Sequence, residues 1–378
     1  MSSHSQATPL GSPKPLGVGI LGAGPVTQAI HLPSLARLRN ILEVRHIMDV
    51  DAAVAESVAA RVGANHSTSM DALLGDPDVD IVAICSPHQF HADQVIAACR
   101  AGKKAVLCEK PFAMSGEEAA RISAVSAETG VPIIVGAMHT FDPGWLAAEA
   151  NWGDLPENVH TIRSSIVLPP NARFEDFATE IITRPAGGTP DYSDVEVIKN
   201  ALRGGIMGLA IHDLPLVRRF TPDFEDLEVL QARHVRPFGY VISLRCGKQG
   251  AGDRIIELRA AMNATWKPEW AFEAISDDAA LRVDFTPSYV QAGSAIATIT
   301  RGAGTRNARR TTYGPFEHNG YEGEWRELAQ LALGTKQPPS AETLINDLTF
   351  AIAIADATVV EAAAEHTQHA NSHAGAHS

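Results

Sequence analysis

Cysteine is scarce in this sequence, and none is paired in the spacing typical of a disulfide or metal framework. Four cysteines occur among 378 residues, and no two of them form a C-x-x-C motif. Cys85, Cys99 and Cys108 fall in or beside apolar segments, where a reduced and buried thiol is common. We therefore expect no disulfide framework.

Clustered positive charge and long apolar runs are missing as well. The formal net charge is -13 and the basic residues are scattered, whereas a nucleic-acid surface needs clustered Lys and Arg. No apolar run reaches about 18 residues, the length that indicates a membrane helix. The opening MSSHSQATPLGSPKP has neither region of a signal peptide. These absences predict a cytoplasmic protein with a small-molecule partner, and no nucleic-acid or membrane partner.

The length favours two compact domains between polar ends. Residues 1–14 are rich in Ser, Pro and Gly, and residues 366–378 are polar and His-spaced, so we predict two disordered tails. Metal binding by the His-rich tail is the weaker alternative. The domains are predicted at 15–138 and 139–365, and a helix at 340–364 is predicted to pack back on the first.

The first half alternates short β-branched runs with amphipathic stretches. This alternation predicts a parallel sheet covered by helices on both faces, in a Rossmann-type order. The predicted strands are LGVGILGAG, LEVRHIMDV, VDIVAICSP, KAVLCEK and VPIIVGAMH.

A glycine turn follows the first predicted strand directly and opens a helix. Glycines let the backbone approach a pyrophosphate, whose charge then lies at the helix N-terminus. Thr27 replaces the third glycine of the usual fingerprint, which weakens the motif taken alone. We predict cofactor contacts at Gly22, Gly24, Pro25 and Val26.

Asp49 ends the second predicted strand. A carboxylate there would accept hydrogen bonds from the adenosine ribose and repel a 2′-phosphate, so Asp49 favours NAD over NADP. The alternative is that Asp49 is a turn former that caps the following helix.

Polar residues follow the third and fourth strands, where an open parallel sheet binds its ligands. The H-x-x-H pair at His88 and His91 has no carboxylate or thiolate cluster with it, so we predict no metal site and instead contacts with ribose or nicotinamide. The predicted cofactor contacts of this crevice are Ser86, Pro87, His88, His91, Glu109, Lys110 and Pro111.

These segments together resemble the glucose-fructose oxidoreductase, inositol dehydrogenase and rhizopine-catabolism family, written Gfo/Idh/MocA. The residues that carry the resemblance are GVGILGAGPVTQAIHLPSLARL, IMDVD, ICSPHQFHADQVIAACRAGKKAVLCEKPFA and VGAMHTFDPGW, with a thinner match at GGIMGLAIHDLPLVRRF and PSAETLINDLTFAIAIADA. The resemblance implies a Rossmann domain followed by an α+β domain with a large, mostly antiparallel sheet. It also implies assembly through the exposed face of that sheet, as a homodimer or homotetramer. Independently of the resemblance, the sequence pattern of the second half predicts many strands, with an acidic interruption at ARFEDFATEI.

The EKP stretch gives this fold its predicted chemistry. Oxidising a secondary alcohol needs a base for the hydroxyl proton and a cation near the developing alkoxide, and Lys110 supplies the cation. Glu109 is expected to orient the ammonium or a ribose hydroxyl, and Pro111 to fix the turn, with a cis peptide bond as one option. The alternative is a surface Lys-Glu pair at a strand end.

The base is predicted at His212, on the resemblance. Family dehydrogenases carry an Asp four residues before this His, but the matching position here is Gly208. Asp213 follows the histidine, and adjacent residues on a helix point about 100° apart, so Asp213 is a poor geometric substitute. The remaining candidate substrate residues are His139, Asp142, Tyr192 and Asp213.

The resemblance implies an NAD(P)-dependent dehydrogenase or ketoreductase that acts on a sugar, cyclic polyol or related compound. Two alternatives stay open: a redox-neutral glycosidase or lyase that retains its NAD, and a nucleotide-binding protein without turnover. The missing Asp keeps the first alternative open, and the presence of Lys110 disfavours the second.

Overall fold

The computed structural model describes residues 14–170, 190–224, 226–247, 253–262, 267–290 and 292–375, together with Glu175 and Thr179. Nearly all of the predicted tail at 1–14 and most of the ARFEDFATEI segment lie outside the described residues.

The first half of the chain forms one parallel sheet with helices on both faces. Its strands are β1 (Leu16–Leu21), β2 (Leu42–Met48), β3 (Asn65–Ser67), β4 (Ile81–Ile84), β5 (Ala105–Cys108) and β6 (Ile133–Val135). Its helices are α1 (Leu32–Arg37), α2 (Ala52–Val62), α3 (Met70–Leu74), α4 (His91–Arg100) and α5 (Gly116–Thr129). The strand order is β3-β2-β1-β4-β5-β6, which is the Rossmann order. All residues of β1, β4 and β5 are buried because helices cover both faces of the sheet.

The second half is built on an eight-stranded sheet. Its strands are β7 (Thr161–Leu168), β8 (Glu228–His234), β9 (Gly239–Cys246), β10 (Arg254–Met262), β11 (Glu269–Ile275), β12 (Ala279–Asp284), β13 (Ile296–Arg301) and β14 (Arg309–Tyr313). Their order is β14-β13-β12-β11-β7-β10-β9-β8, and every pair is antiparallel except β7 with β10. The predicted fold class, a Rossmann domain plus an α+β domain with a mostly antiparallel sheet, is confirmed.

Helices of the second half reach back into the first. They are α6 (Pro143–Glu149), α7 (Leu155–Asn158), α8 (Val195–Gly208), α9 (Leu214–Arg218), α10 (Gly320–Ala332) and α11 (Ala341–Gly375). Helix α10 places Trp325 and Leu328 in the core beneath the parallel sheet, and α11 packs on α5. The backbone of α11 stays helical to Gly375, beyond its predicted end at 364 and into the segment predicted to be a disordered tail.

Part of α11 is long and apolar enough to cross a membrane by composition alone. This stretch covers residues 342–365 and has a mean hydropathy of 1.5. Four of its apolar side chains are fully buried in the protein, at Phe350, Ala351, Ile354 and Ala355. The core therefore accounts for that face of the helix.

The outer face of the eight-stranded sheet carries a row of charged residues. Four charged residues form a row across neighbouring strands, in the order Glu257, Arg163, Glu273 and Arg282. Arg163 pairs with Glu257 at 2.5 Å, and Arg282 pairs with Glu273 at 2.9 Å. Because opposite charges pair across neighbouring strands, this face is compatible with water. It therefore does not need a partner to cover an apolar surface.

Candidate functional site

The glycine turn after β1 has the shape that a dinucleotide needs. Gly22 has φ +95°, and a Cβ on it would lie 2.8 Å from the backbone of Cys85, so only glycine fits there. A Cβ on Gly24 would meet no atom within 4 Å, which leaves open space beside the turn. Thr27, at the predicted weak point of the motif, donates its hydroxyl to the Gly22 carbonyl at 2.6 Å and stabilises the turn. The turn therefore fits a pyrophosphate.

Asp49 lies against this turn. Its carboxylate accepts the Ala23 N–H at 2.8 Å and the Asp51 N–H at 3.0 Å. The cap of α2 is Asp51, which accepts the N–H groups of Ala53 and Val54. The capping role considered for Asp49 thus belongs to Asp51. Asp49 lies between the end of β2 and the glycine turn, beside the position that a ribose would occupy next to the pyrophosphate.

Glu109 is a buried carboxylate whose main partner is a histidine that the sequence did not reveal. Its Oε1 lies 2.9 Å from Nε2 of His31, and its Oε2 accepts the backbone N–H of Lys110 at 3.2 Å. Trp325 donates its indole N–H to Nδ1 of His31, which places the ring proton on Nε2, facing Glu109. Burial raises the pKa of Glu109, but the His31 hydrogen bond and the nearby Lys110 charge outweigh it and hold that pKa below its usual value. Within the described residues Glu109 makes no hydrogen bond to the Lys110 ammonium and supports it through charge. The other role that we expected for Glu109, orienting a ribose hydroxyl, stays a prediction.

Lys110 reaches across the crevice to the second half of the chain. Its Nζ donates to the carbonyl oxygen of Gly208, at the end of α8, at 2.9 Å. Burial lowers the pKa of Lys110, and the Glu109 charge offsets part of that effect. The Lys110–Pro111 peptide bond is cis, which confirms that option.

His212 follows α8 in a short 3-10 turn and lies near this ammonium. The residue is 8% exposed, and its Nδ1 has no hydrogen-bond partner among the described residues. Burial lowers its pKa well below the usual value, and the charges of Lys110 and His139 lower it further. The imidazole is therefore neutral near pH 7.

His139 and Asp213 form a hydrogen-bonded pair beside His212. Nδ1 of His139 lies 2.7 Å from Oδ1 of Asp213. The Asp213 carboxylate also accepts the Ser164 hydroxyl at 2.6 Å and the Trp270 indole N–H at 3.0 Å. Asp213 is fully buried, and its carboxylate holds His139.

The histidines after β4 have different environments. His91 is fully buried, and its two ring nitrogens face the carbonyl oxygens of Pro111 and Ser86, each at 2.8 Å. It therefore clamps the two loops of the crevice together rather than facing a ligand. Burial, His91 and Lys110 lower the pKa of His88, and Glu109 opposes them. Ser86 turns its hydroxyl to Gln94.

Two predicted substrate residues make hydrogen bonds with backbone groups of the scaffold. Asp142 is buried and accepts the backbone N–H groups of Gly144 and Ala295, so its carboxylate is occupied. Tyr192 donates to the Pro237 carbonyl at 2.6 Å and stacks on His234 at the β8–β9 turn. Within the described residues, no hydrogen bond or ring contact joins either of them to Lys110.

Tyr289 is a residue that sequence reasoning missed. Its φ is +67°, unusual for a side chain of this size. Its hydroxyl lies 3.3 Å from the Glu175 carboxylate, and burial, then the charges of Glu175 and Glu109, raise its pKa. Because the Glu109 charge acts on the Tyr289 pKa, the Tyr289 ring lies near the crevice. No sequence motif around Tyr289 predicted that location.

Residues 16–137 match the model of the Gfo/Idh/MocA family, described as an oxidoreductase family with an NAD-binding Rossmann fold. The chain is similar to inositol 2-dehydrogenase 3 of Saccharopolyspora erythraea, at 39% identity over 129 residues, which are 34% of this chain and 38% of that protein. It is also similar to inositol 2-dehydrogenase of Acidothermus cellulolyticus, at 30% identity over 224 residues, 56% of this chain and 65% of that one. The match thus spans less than two thirds of either relative.

Solved structures share the fold over nearly the whole chain. A UDP-N-acetylglucosamine 3-dehydrogenase from Acidithiobacillus ferrooxidans superposes with a TM-score of 0.68 at 19% identity, covering 92% of this chain and 98% of the other. A 3-ketoreductase from Actinomadura kijaniata, in complex with NADP, gives 0.66 at 22% identity and covers 90% and 96%. The Rossmann sheet, the glycine turn and the EKP stretch all fall within residues 16–137, the part of this chain that matches the model of the Gfo/Idh/MocA oxidoreductase family.

Proposed function

We propose that this protein is an NAD(P)-dependent oxidoreductase that transfers a hydride between nicotinamide and a secondary alcohol or ketone of a sugar or cyclic polyol. The observation that carries the proposal is the partly buried Lys110 ammonium, which lies beside Glu109, donates to the Gly208 carbonyl and lies close enough to His212 to lower its pKa. Moving a cation out of water costs free energy, so the position of Lys110 favours a functional role over a structural one.

The chain's own residues divide the work of this reaction. When bound, the dinucleotide accepts or supplies the hydride. Lys110 hydrogen-bonds the substrate oxygen and stabilises negative charge as it develops there, which lowers the barrier more than it strengthens substrate binding. Glu109 favours the protonated form of Lys110, because its negative charge opposes the effect of desolvation on the Lys110 pKa. A neutral imidazole then exchanges the hydroxyl proton.

NAD is the proposed cofactor, with NADP less favoured. Asp49 supports this choice, because a carboxylate beside the glycine turn accepts ribose hydroxyls and repels a 2′-phosphate. The A. kijaniata structure with NADP bound belongs to a protein of 22% identity and shares the fold.

The substrate class follows from the relatives. The two inositol dehydrogenases act on a cyclic polyol by name, and we extend that chemistry to a sugar or polyol here. The test is a panel of polyols, sugars and aminosugars, each incubated with purified protein and either NAD or NADP while absorbance is followed at the NADH band. Growth of that band with at least one compound is expected. No absorbance change with any compound would contradict hydride transfer as the net reaction, whether or not an aglycone is released.

The same panel separates the alternatives. A redox-neutral glycosidase or lyase would release an aglycone without accumulating NADH, and a nucleotide-binding protein would do neither. Lys110 and its held position favour the dehydrogenase over both.

We expect a cytoplasmic homodimer or homotetramer that uses the outer face of the eight-stranded sheet. Val241 and Ile296 lie exposed on that face, among the charged row. Light scattering at micromolar concentration tests the assembly, and a monomeric mass would refute it.

A further inference from the structure

The active-site crevice contains two histidines, and their hydrogen bonding differs in a way that bears on proton transfer. A general base needs a nitrogen with a free lone pair facing the substrate, in a tautomer that the protein fixes. A partner on the other ring nitrogen normally fixes it, as a carboxylate does for the histidine of a Ser-His-Asp triad.

His212 lacks such a partner. Its Nδ1 is buried without a hydrogen bond in the described part of the chain, and position 208, one helical turn earlier, is a glycine with no side chain to offer. The Gly208 carbonyl, the remaining polar group at that position, accepts Lys110 instead. Trp270 meets the His212 ring edge-on at 5.4 Å between centroids, but no hydrogen bond to Nδ1 within the described residues fixes its tautomer.

His139 has the partner that His212 lacks. Its Nδ1 lies 2.7 Å from Asp213, and Ser164 and Trp270 both donate to the same carboxylate. Because Trp270 and Ser164 already donate, Asp213 acts as the acceptor and His139 carries its proton on Nδ1. Nε2 is then the nitrogen with the lone pair, and no protein partner is described for it.

The ring of His139 is also held in place on its face and edge. Phe285 stacks on it at 3.7 Å between ring centroids and 14° between planes, and Trp270 meets it edge-on at 4.6 Å. His139 follows β6, which pairs with β5 in the sheet. The centroid of its ring lies 6.4 Å from that of His212. His139 is 4% exposed and His212 8%, and His212 lies close enough to Lys110 for that charge to lower its pKa, so His139 lies one ring away from the histidine beside Lys110.

We propose that His139, oriented by Asp213, is the catalytic base of this enzyme, and that Asp213 is its positioning residue. The inference rests on the proposed hydride transfer and adds its proton path. In oxidation, the substrate O–H bond breaks and its proton goes to Nε2 of His139, while the C–H bond gives two electrons and the hydrogen to NAD(P)⁺. The products are the ketone, NAD(P)H and a protonated His139, which returns its proton to solvent. Reduction runs through the same atoms in reverse. Asp213 thus supplies, from the residue after His212, the carboxylate that is missing at Gly208.

The test compares His139→Gln with His212→Gln. The His139 variant keeps a group that can donate to Asp213 but cannot take up a proton, so kcat should fall roughly 100-fold or more while KM and NADH binding change only a few-fold. Imidazole added to His139→Ala should restore part of the activity. His212→Gln should retain clearly more activity than His139→Gln.

A matched control exists in the first domain. His46 is also buried, with Nδ1 2.9 Å from Asp76 and Nε2 2.9 Å from the Ser67 hydroxyl. His46→Gln removes a similar histidine–carboxylate pair away from the crevice, so it should lower the melting temperature and leave kcat unchanged. A kcat loss in His139→Gln no larger than that of His46→Gln would overturn the proposal, as would a far greater loss in His212→Gln than in His139→Gln.

A second readout needs no substrate. Nitrogen NMR of the histidine rings should show His139 protonated on Nδ1, and Asp213→Asn should change that tautomer. The ionisable groups near His139 are Asp213, His212 and Asp142, with Lys110 beyond His212. A ring protonated on Nε2 in the wild-type protein would refute the dyad. If the wild-type protein oxidises nothing in the panel, the proposed function fails, and the tautomer still decides the assignment of His139.

Discussion

The Lys110 ammonium lies 2.9 Å from the carbonyl oxygen of Gly208, across the crevice between the two halves of the chain. A backbone dipole thus holds the cation at the position where the resemblance predicted a carboxylate. A carbonyl orients an ammonium without neutralising it, so Lys110 keeps more of its charge for the substrate oxygen. Four predictions test this crevice and the contacts around it.

Lys110→Ala should abolish turnover and leave dinucleotide binding nearly unchanged, because the ammonium acts mainly on charge that develops in the transition state. The measurements are kcat with the substrate found in the panel and NADH binding by fluorescence. Lys103→Ala is the control, since Lys103 also donates to backbone carbonyls, at Val79 and Asp76, but away from the crevice. If Lys110→Ala kept most of the wild-type activity, EKP would be only a strand-to-loop junction.

Asp49→Asn should raise the ratio of NADP to NAD efficiency by roughly tenfold, equivalent to about 1.4 kcal/mol, since the repelling charge is lost while the amide oxygen still accepts the Ala23 N–H. The ratio of the two kcat/KM values measures this effect. Asp51→Asn, a change to the neighbouring helix cap, should leave the ratio unaltered. Equal efficiency with both cofactors in the wild-type protein would contradict the role of Asp49.

Gly208→Asp should fold normally and extend activity to higher pH. A Cβ at this position meets no atom within 4 Å, so the side chain has room. Burial lowers the pKa of Lys110, and activity should fall as pH rises through it; a carboxylate nearby raises that pKa and moves the alkaline limb upward. The kcat–pH profile is the measurement.

Gly204→Asp provides the comparison for this change, because Gly204 lies on the same helix with equally open space at an exposed position. It should leave the alkaline limb where it is. An identical profile in wild type and Gly208→Asp would mean that Lys110 does not limit activity at high pH.

Asp347→Asn should remove a decline in stability between about pH 4 and pH 6. Burial raises the pKa of Asp347 to about 6, although Arg218 and Arg219 oppose the shift, and its Oδ1 lies 2.8 Å from Nε of Arg218. An acid whose folded pKa is raised binds its proton more tightly in the native state. Stability therefore falls as pH rises from the unfolded pKa to the folded one, by at most about 3 kcal/mol.

Urea unfolding at several pH values measures this dependence. Asp356→Asn, on the same helix but at an exposed pair with Arg203, should reproduce the wild-type curve. A wild-type free energy of unfolding that rises between pH 4 and pH 6, with Asp347→Asn following it, would refute the assignment.

Local sequence was enough to predict the first domain and the chemistry of its turns. Strand order, the glycine turn and the EKP stretch depend on periodicity and on residues that are neighbours in the chain, so Gly22, Asp49 and Lys110 were found at the ends of their strands. The predictions were weakest for polar residues, because the same side chain can bind either a ligand or the protein backbone. Asp142 and Tyr192 had the composition of a sugar site, and the structure shows them bound to backbone groups.

The partners of His139 and Glu109 were decided by tertiary structure alone. Asp213 lies 74 residues from His139, 49 from Ser164 and 57 from Trp270, and the carboxylate meets them because β6, β7 and β11 converge on it. We judged Asp213 a poor substitute on the assumption of one continuous helix, but a 3-10 turn separates α8 from α9 and directs its side chain into the core. Spacing along the chain predicts which face of a helix or strand a residue occupies. Which buried carboxylate meets which imidazole depends on how the two sheets pack, because each side chain exchanges its water for whatever partner the fold brings near.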